Sequence, residues 1–158
     1  MDWLAALEGT GVAAAVRTSP WLYPAVEVVH LAGIALLVGG AALFDLRLLG
    51  LGRALPIGAL AAHLLRWSRR ALALVLPSGA LLFSAHAVEL SRNPAFRLKL
   101  VLLAGAGLNA LLFHAVTARG MAAWEAGARA PLAARAAACV SLAAWVGVIA
   151  CGRMIAYL

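Results

Sequence analysis

Four long apolar runs, separated by short polar breaks, make up most of the chain. The runs cover residues 21–49, 71–90, 96–117 and 132–157. A helix needs roughly 20 apolar residues to cross a bilayer, so each run predicts one membrane-spanning helix. The breaks between the runs contain glycine, proline and asparagine, which commonly end helices.

A basic stretch precedes the second run. Residues 57–70 have a helical pattern, but their Arg66, Arg69 and Arg70 are too many charges for the core of a bilayer. We therefore expect the turns before Ala71 to lie at the membrane interface and the second span to begin at that residue.

The residues before the first run have the pattern of an interfacial helix. Trp3, Leu4 and Leu7 are placed to face the membrane, and Glu8 is placed to face water. The stretch has no basic segment at its start and is interrupted by glycines, which argues against a cleavable signal peptide. The pattern predicts an N-terminal segment that lies along the membrane surface.

The composition agrees with a membrane protein. Of the 158 residues, 65% are hydrophobic and 12% are charged, whereas soluble domains are nearer half apolar and one quarter charged. The mean hydropathy is +0.98. The chain is therefore expected to be an all-α, integral membrane four-helix bundle that forms a single transmembrane domain over residues 1–158.

The net charge of +7 does not indicate a nucleic-acid partner, because the basic residues flank apolar runs and no nucleic-acid motif is present. Lysine and arginine are more frequent on one side of the predicted membrane, and the richer side faces the cytoplasm. This distribution predicts that both termini are periplasmic. The richer side carries Arg47, Arg53, Arg66, Arg69, Arg70, Arg119, Arg129 and Arg135, and the other side carries Arg17, Arg92, Arg97, Lys99 and Arg153.

Two short motifs in the first and second runs mirror each other: Glu27 precedes His30 by three residues, and His86 precedes Glu89 by three. On antiparallel neighbouring helices, this reversal would bring both histidines and both glutamates to similar depths. Ionisable residues inside apolar runs are costly and usually functional. The motifs therefore predict a metal or haem site.

The first interpretation is a b-type haem with His30 and His86 as axial ligands. Gly33 and Gly79 would leave an apolar slot beside the imidazoles, and a protein tunes a haem by such burial and by hydrogen bonds to its ligands. Glu27 and Glu89 would then lie near the water interface and orient the histidines.

Two alternatives use the same residues. A single copper or zinc ion would bind His30 and His86 with Glu27 and Glu89, as in a metal-handling or transport protein. A structural membrane subunit would bind no cofactor and use these groups only for polar contacts. A di-iron site is disfavoured, because such sites need further carboxylates that the third and fourth runs do not supply.

Two further histidines lie towards the arginine-rich side. His114, together with His63, would serve a second haem, and a contact of His114 with Asp45 or an arginine is the competing interpretation. Asp45 itself is expected to form ion pairs with the neighbouring basic residues. If it does not serve a haem, His63 is expected to be a polar residue at the membrane interface.

Five segments of the chain resemble a family of uncharacterised bacterial four-span membrane proteins. These proteins are distantly similar to the copper-resistance protein D family and to membrane b-type cytochromes. The resemblance covers nearly the whole chain from Trp21, and the segments are HLAGIALLVGG at 30–40, FDLRLLG at 44–50, RWSRR at 66–70, NPAFRLK at 93–99 and LNALLFH at 108–114.

The resemblance implies a bundle in the bacterial inner membrane with histidines placed for haem b, at His30, His86 and His114. No nucleophile–base arrangement or nucleotide-binding loop is present in the sequence, which argues against catalysis by the chain alone. The favoured function is electron transfer through haem b beside a redox partner protein, as in an oxidoreductase subunit.

Overall fold

The computed structural model describes residues 2–117 and 129–158, and within these ranges the chain is helical and has no strand. The predicted loop between the third and fourth runs falls largely outside the described residues. The helices are α1 (Asp2–Glu8), α2 (Gly11–Thr18), α3 (Leu22–Leu49), α4 (Ile57–Ala85), α5 (Ala87–Arg92), α6 (Pro94–Leu112, continued by a π-helical turn at Phe113–Thr117) and α7 (Leu132–Met154).

Three of these helices are long and apolar enough to cross a membrane: α3, α6 with its π-helical turn, and α7. They coincide with the first, third and fourth apolar runs. Their ends follow local sequence signals. Gly50 ends α3 in the left-handed conformation, and Asn93 caps the start of α6 by accepting a hydrogen bond from the amide of Phe96.

The second run differs from the prediction at its end. α4 begins at Ile57, where the sequence predicted a helical stretch, and continues through the expected start of the span at Ala71 to Ala85, five residues before the expected end at Leu90. Backbone hydrogen bonds form a helix whether or not its side chains are charged, and Arg66, Arg69 and Arg70 are exposed on its surface. The helix thus continues through the arginines, as the helical pattern of residues 57–70 predicted.

The N-terminal helices hold the break between α4 and α5. Arg17 of α2 donates a hydrogen bond of 3.0 Å to the carbonyl of Ala85, at the end of α4. Glu8 accepts a 2.8 Å bond from the amide of Val88, at the start of α5. Backbone groups freed at a helix end need such partners, so the N-terminal segment stabilises the break at His86. Leu4 is buried within the protein and Trp3 is exposed, whereas the sequence predicted that both face the membrane.

The four long helices pack in the order α4, α3, α7, α6. α3 and α4 lie antiparallel at close distance, because Gly33 and Gly40 of α3 face Val75 and Ser68 of α4. This register places the arginines at 66–70 beside the middle of α3. On the other side of α3, α7 packs against α6, where Gly147 accommodates Leu102.

α4 and α6 stay apart. Among the described residues they have no Cα atoms within 8 Å of each other. They meet through the stacked rings of Phe83 and Phe96, whose centroids are 5.4 Å apart. Away from this stack, no close backbone contact joins the two helices in the described part of the chain. We call the end at the α4–α5 break the His86 end, and the end at the loop of residues 50–56 the arginine-rich end.

Candidate functional site

The side chain of His30, which belongs to α3, is half-buried and lies in a niche on the surface of α4. Its Nδ1 atom is 2.9 Å from the hydroxyl oxygen of Ser78. That hydroxyl donates its own hydrogen to the carbonyl of Leu74, so it accepts a hydrogen from Nδ1. This arrangement selects the imidazole tautomer that carries its proton on Nδ1 and leaves the lone pair of Nε2 free to bind a metal.

Gly79 forms the floor of the niche of His30, whereas the prediction had paired this glycine with His86. A Cβ atom at this position would lie 3.0 Å from Cε1 of His30, so a larger residue would displace the ring. Gly33 has a different role. A Cβ atom there would lie 2.8 Å from the side chain of Val75, which makes Gly33 a packing residue between α3 and α4.

His86 occupies the break between α4 and α5. Its ring is edge-on to Tyr23, with the ring centroids 6.1 Å apart, and its Nδ1 atom is 3.8 Å from a carboxylate oxygen of Glu89. The side chain of Glu89 is 84% exposed, and Glu27 on α3 is also exposed. Of the two predicted glutamate–histidine pairs, His86 and Glu89 therefore lie close together, at the surface of the His86 end.

The structure does not bring His30 and His86 together. His30 contacts Gly79, which lies seven residues before His86, or about 10 Å along a helix axis. Two nitrogen ligands at roughly 2 Å from one metal lie within about 4 Å of each other. The predicted match in depth assumed that the second helix continued to residue 90. It ends at Ala85, so His86 lies at the helix end and His30 lies deeper.

The other two histidines do not form a pair in the structure. His114 is exposed on the π-helical turn, and its Nδ1 atom bonds the carbonyl of Ala110 at 2.8 Å. His63 is exposed on α4. In the described part of the chain, no three histidine, cysteine, aspartate or glutamate residues are grouped to bind a metal ion. The described residues therefore contain no preformed group of ligands for the single copper or zinc ion predicted from the sequence.

Asp45 does not form the expected ion pairs. It is 7% exposed, and one of its carboxylate oxygens has no hydrogen-bond partner. The neighbouring Arg47 is also buried, but its guanidinium bonds the carbonyls of Leu55 and Arg53 instead. The basic residues at this end thus organise the loop after α3 and form no ion pair with the carboxylate of Asp45.

Two residues of the His30 region were not singled out from the sequence. Ser78 was detectable only as a polar residue inside an apolar run. Lys99 of α6 is half-buried, and its ammonium lies against Gly152 of α7, 3.7 Å from where a Cβ atom would be. From the sequence it was a flanking charge and one of several possible ionic partners of the mirrored motifs, and its contact with α7 depends on how the two helices pack.

Lys99 and His30 lie at similar depth. From the stacked rings of Phe83 and Phe96, Gly79 is four residues along α4 and Lys99 is three residues along α6, which correspond to about 6 Å and 5 Å. The imidazole and the ammonium therefore lie at a similar level of the bundle, and each rests against a glycine of a neighbouring helix.

Comparison with known proteins gives a family without a known activity. No curated protein and no solved structure matches the chain. A family model described as a family of unknown function, DUF6644, matches residues 13–158. The match covers nearly all of the sequence, and the chain therefore belongs to the DUF6644 family.

Proposed function

We propose that this protein binds haem b within a membrane-spanning four-helix bundle and transfers electrons to or from a partner protein. The observation that carries the proposal is the orientation of His30. Ser78 holds its Nδ1–H, and the free Nε2 is the nitrogen that would ligate iron. The haem would supply the centre that gains and loses an electron.

The four-span arrangement is part of this proposal. α3 begins at the His86 end, where Tyr23 contacts His86, and α6 begins at the same end, directly after α5. In this proposal, α4 therefore crosses the full thickness of the membrane in the direction opposite to α3, so that α6 can begin at the same end as α3. In this arrangement, we keep the prediction that both termini are periplasmic in a bacterial inner membrane.

The residues around His30 fit one side of a haem. The imidazole rests on Gly79, with no side chain beneath it. A flat apolar group bound by Nε2 would have to lie between α4 and α6, whose backbones make no close contact among the described residues. His86 lies too far along α4 to bind the opposite face of the same haem, so the structure supports His30 as the axial ligand and not the pair expected from the sequence.

Lys99 would hold the acidic edge of the haem. No carboxylate within 4 Å of its ammonium is found in the described residues, and a charge inside a membrane protein needs a counter-charge. A haem propionate would supply one at the depth of His30. Lys99 would thus contribute to binding, while His30 would control the spectrum of the iron.

The test is the reduced-minus-oxidised absorbance spectrum of protein purified from haem-supplied cells. We expect a haem b spectrum that His30→Ala abolishes and His86→Ala retains, with His63→Ala as an exposed control. Ser78→Ala should retain haem with a changed midpoint potential, because the hydrogen bond to Nδ1 is lost. Lys99→Met should weaken haem binding and leave the position of the bands unchanged.

Two results would contradict the proposal. The first is wild-type protein that contains no haem and binds none when haem is added. The second is a full spectrum in His30→Ala. If His30→Ala and His86→Ala lose haem equally while both remain folded, the two-histidine arrangement predicted from the sequence would be favoured instead.

A further inference from the structure

Four arginines line one cavity at the arginine-rich end. The cavity has a volume of about 130 Å³ and lies between the end of α3 and the start of α7. No acidic side chain lines it among the described residues. The arginines are Arg47, Arg53, Arg129 and Arg135.

Two of these side chains are held in place by the loop after α3. Arg47 is 2% exposed and donates hydrogen bonds of 2.9 Å and 3.0 Å to the carbonyls of Leu55 and Arg53. These bonds use two of the five N–H groups of a guanidinium. The guanidinium of Arg53 lies over Gly50, where a Cβ atom would be 3.0 Å from one of its nitrogens. Arg47 is therefore fixed by hydrogen bonds at the cavity wall, and the exposed Arg53 lies beside it over Gly50.

The start of α7 adds to the positive potential. Arg129 precedes this helix and Arg135 lies in its first turn, where the unpaired backbone N–H groups carry a partial positive charge. Four like charges around one cavity repel each other, and water screens this repulsion least at the buried Arg47. None of the four arginines has a carboxylate within 4 Å among the residues that the structure describes. An anion would relieve this repulsion.

We propose that this cavity binds a phosphate group. Guanidinium groups bind phosphate oxygens through pairs of parallel hydrogen bonds, and the volume suits a small tetrahedral anion. α3 has 28 residues and is about 42 Å long, which matches a bilayer with its headgroups. The end of α3 thus lies at the level of lipid phosphates. The phosphate comes from an anionic phospholipid headgroup or from free inorganic phosphate. This site is independent of the proposed haem.

The test measures the thermal stability of the full-length protein in a zwitterionic or non-ionic detergent. Short-chain phosphatidylglycerol, inorganic phosphate and, for comparison, chloride at equal ionic strength are added separately. Binding to the folded state raises the melting temperature, and we expect a rise of about 5 °C or more near saturation. The double variant Arg129→Gln/Arg135→Gln should lose this rise. Both side chains are exposed, so the fold should persist.

Arg69→Gln/Arg70→Gln is the matched control, because it removes the same charge from exposed positions of α4 that do not line the cavity. A rise with phosphatidylglycerol alone, lost only in the cavity variant, identifies a lipid headgroup. A rise with inorganic phosphate identifies the free anion. No rise in the wild type, or equal losses in the two double variants, would overturn the proposal.

Discussion

The contact between Gly40 of α3 and Ser68 of α4 gives a test of how closely these helices must approach. A Cβ atom at Gly40 would overlap the hydroxyl oxygen of Ser68 and lie 3.2 Å from the carbonyl oxygen of Leu64. At the adjacent Gly39, a Cβ atom would meet nothing within 4 Å. Gly40→Ala and Gly39→Ala therefore make the same chemical change in two different surroundings.

The expected magnitudes follow from two opposing effects. Replacing glycine by alanine favours a helix by up to about 1 kcal/mol, whereas an additional methyl group in a well-packed contact costs about 1–3 kcal/mol. We expect Gly39→Ala to raise the free energy of unfolding by about 0.5–1 kcal/mol and Gly40→Ala to lower it by about 1–2 kcal/mol. The difference between the two variants measures the cost of overpacking.

A second substitution identifies the atom responsible. The hydroxyl of Ser68 is buried without a hydrogen-bond partner, so Ser68→Ala alone should leave stability unchanged or raise it by up to about 1 kcal/mol. In Gly40→Ala/Ser68→Ala the overlap is removed, because Cβ of residue 68 would be 3.7 Å from the new methyl group. We expect a favourable coupling of at least about 1 kcal/mol in the double-mutant cycle.

The assay is equilibrium unfolding in mixed micelles of a mild detergent and sodium dodecyl sulfate. Tryptophan fluorescence and far-UV circular dichroism should give the same midpoints if unfolding is two-state. The reasoning would be refuted if Gly40→Ala and Gly39→Ala had equal stabilities. It would also be refuted if Ser68→Ala did not restore the stability of Gly40→Ala, because the clash would then lie elsewhere.

Three further predictions concern polar contacts at the helix ends. Asn93→Ala should lower the free energy of unfolding by about 1–2 kcal/mol, because Asn93 caps α6 and also donates to the carbonyl of Ile155. In the same unfolding assay, Asn93→Asp should recover part of this loss, since aspartate can still cap the helix. Equal losses of stability in the two variants would argue against the cap. Arg17→Gln should increase amide hydrogen exchange around the α4–α5 break, since the carbonyl of Ala85 loses its partner, and unchanged exchange would show that the bond does not hold the break. Arg47→Lys should cost about 2–3 kcal/mol in thermal unfolding, because one ammonium cannot reproduce both carbonyl bonds of the guanidinium; a wild-type melting temperature would contradict this.

The helices that were predictable from the sequence have local signals at their ends. Gly50 ends α3, and Asn93 with Pro94 starts α6. The end of α4 has no such signal, since alanine lies on both sides of His86. That break depends on bonds from Arg17 and Glu8, which are separated from it by 68 and 80 residues in the chain. A pattern of apolar positions carries no information about bonds of this kind.

In the candidate site, too, local features were predictable from the sequence, and contacts between helices were not. A histidine in an apolar run marked His30, and a glycine two turns from His86 marked Gly79, but the contact between His30 and Gly79 joins α3 to α4 and was not predicted. The depth of His86 was not predictable, because it depended on where α4 ends. Ser78 and Lys99 acquire their contacts through packing of neighbouring helices, so their roles required the structure.

The register of α4 against α3 affects the lipid around the protein. Ser68 lies beside Gly40, so the charge-free part of α4 is limited to residues 71–85 and rises only about 22 Å. The hydrocarbon core of a typical bilayer is roughly 30 Å thick. With α4 as the fourth crossing helix, the arginines must extend towards the headgroups or the bilayer must thin beside them. In that proposed arrangement the hydrophobic mismatch would be confined to the α4 side, since α7 is long and apolar enough to cross a membrane. We therefore expect the protein to be most stable in bilayers of shorter acyl chains and to gather thinner membrane along its α4 side.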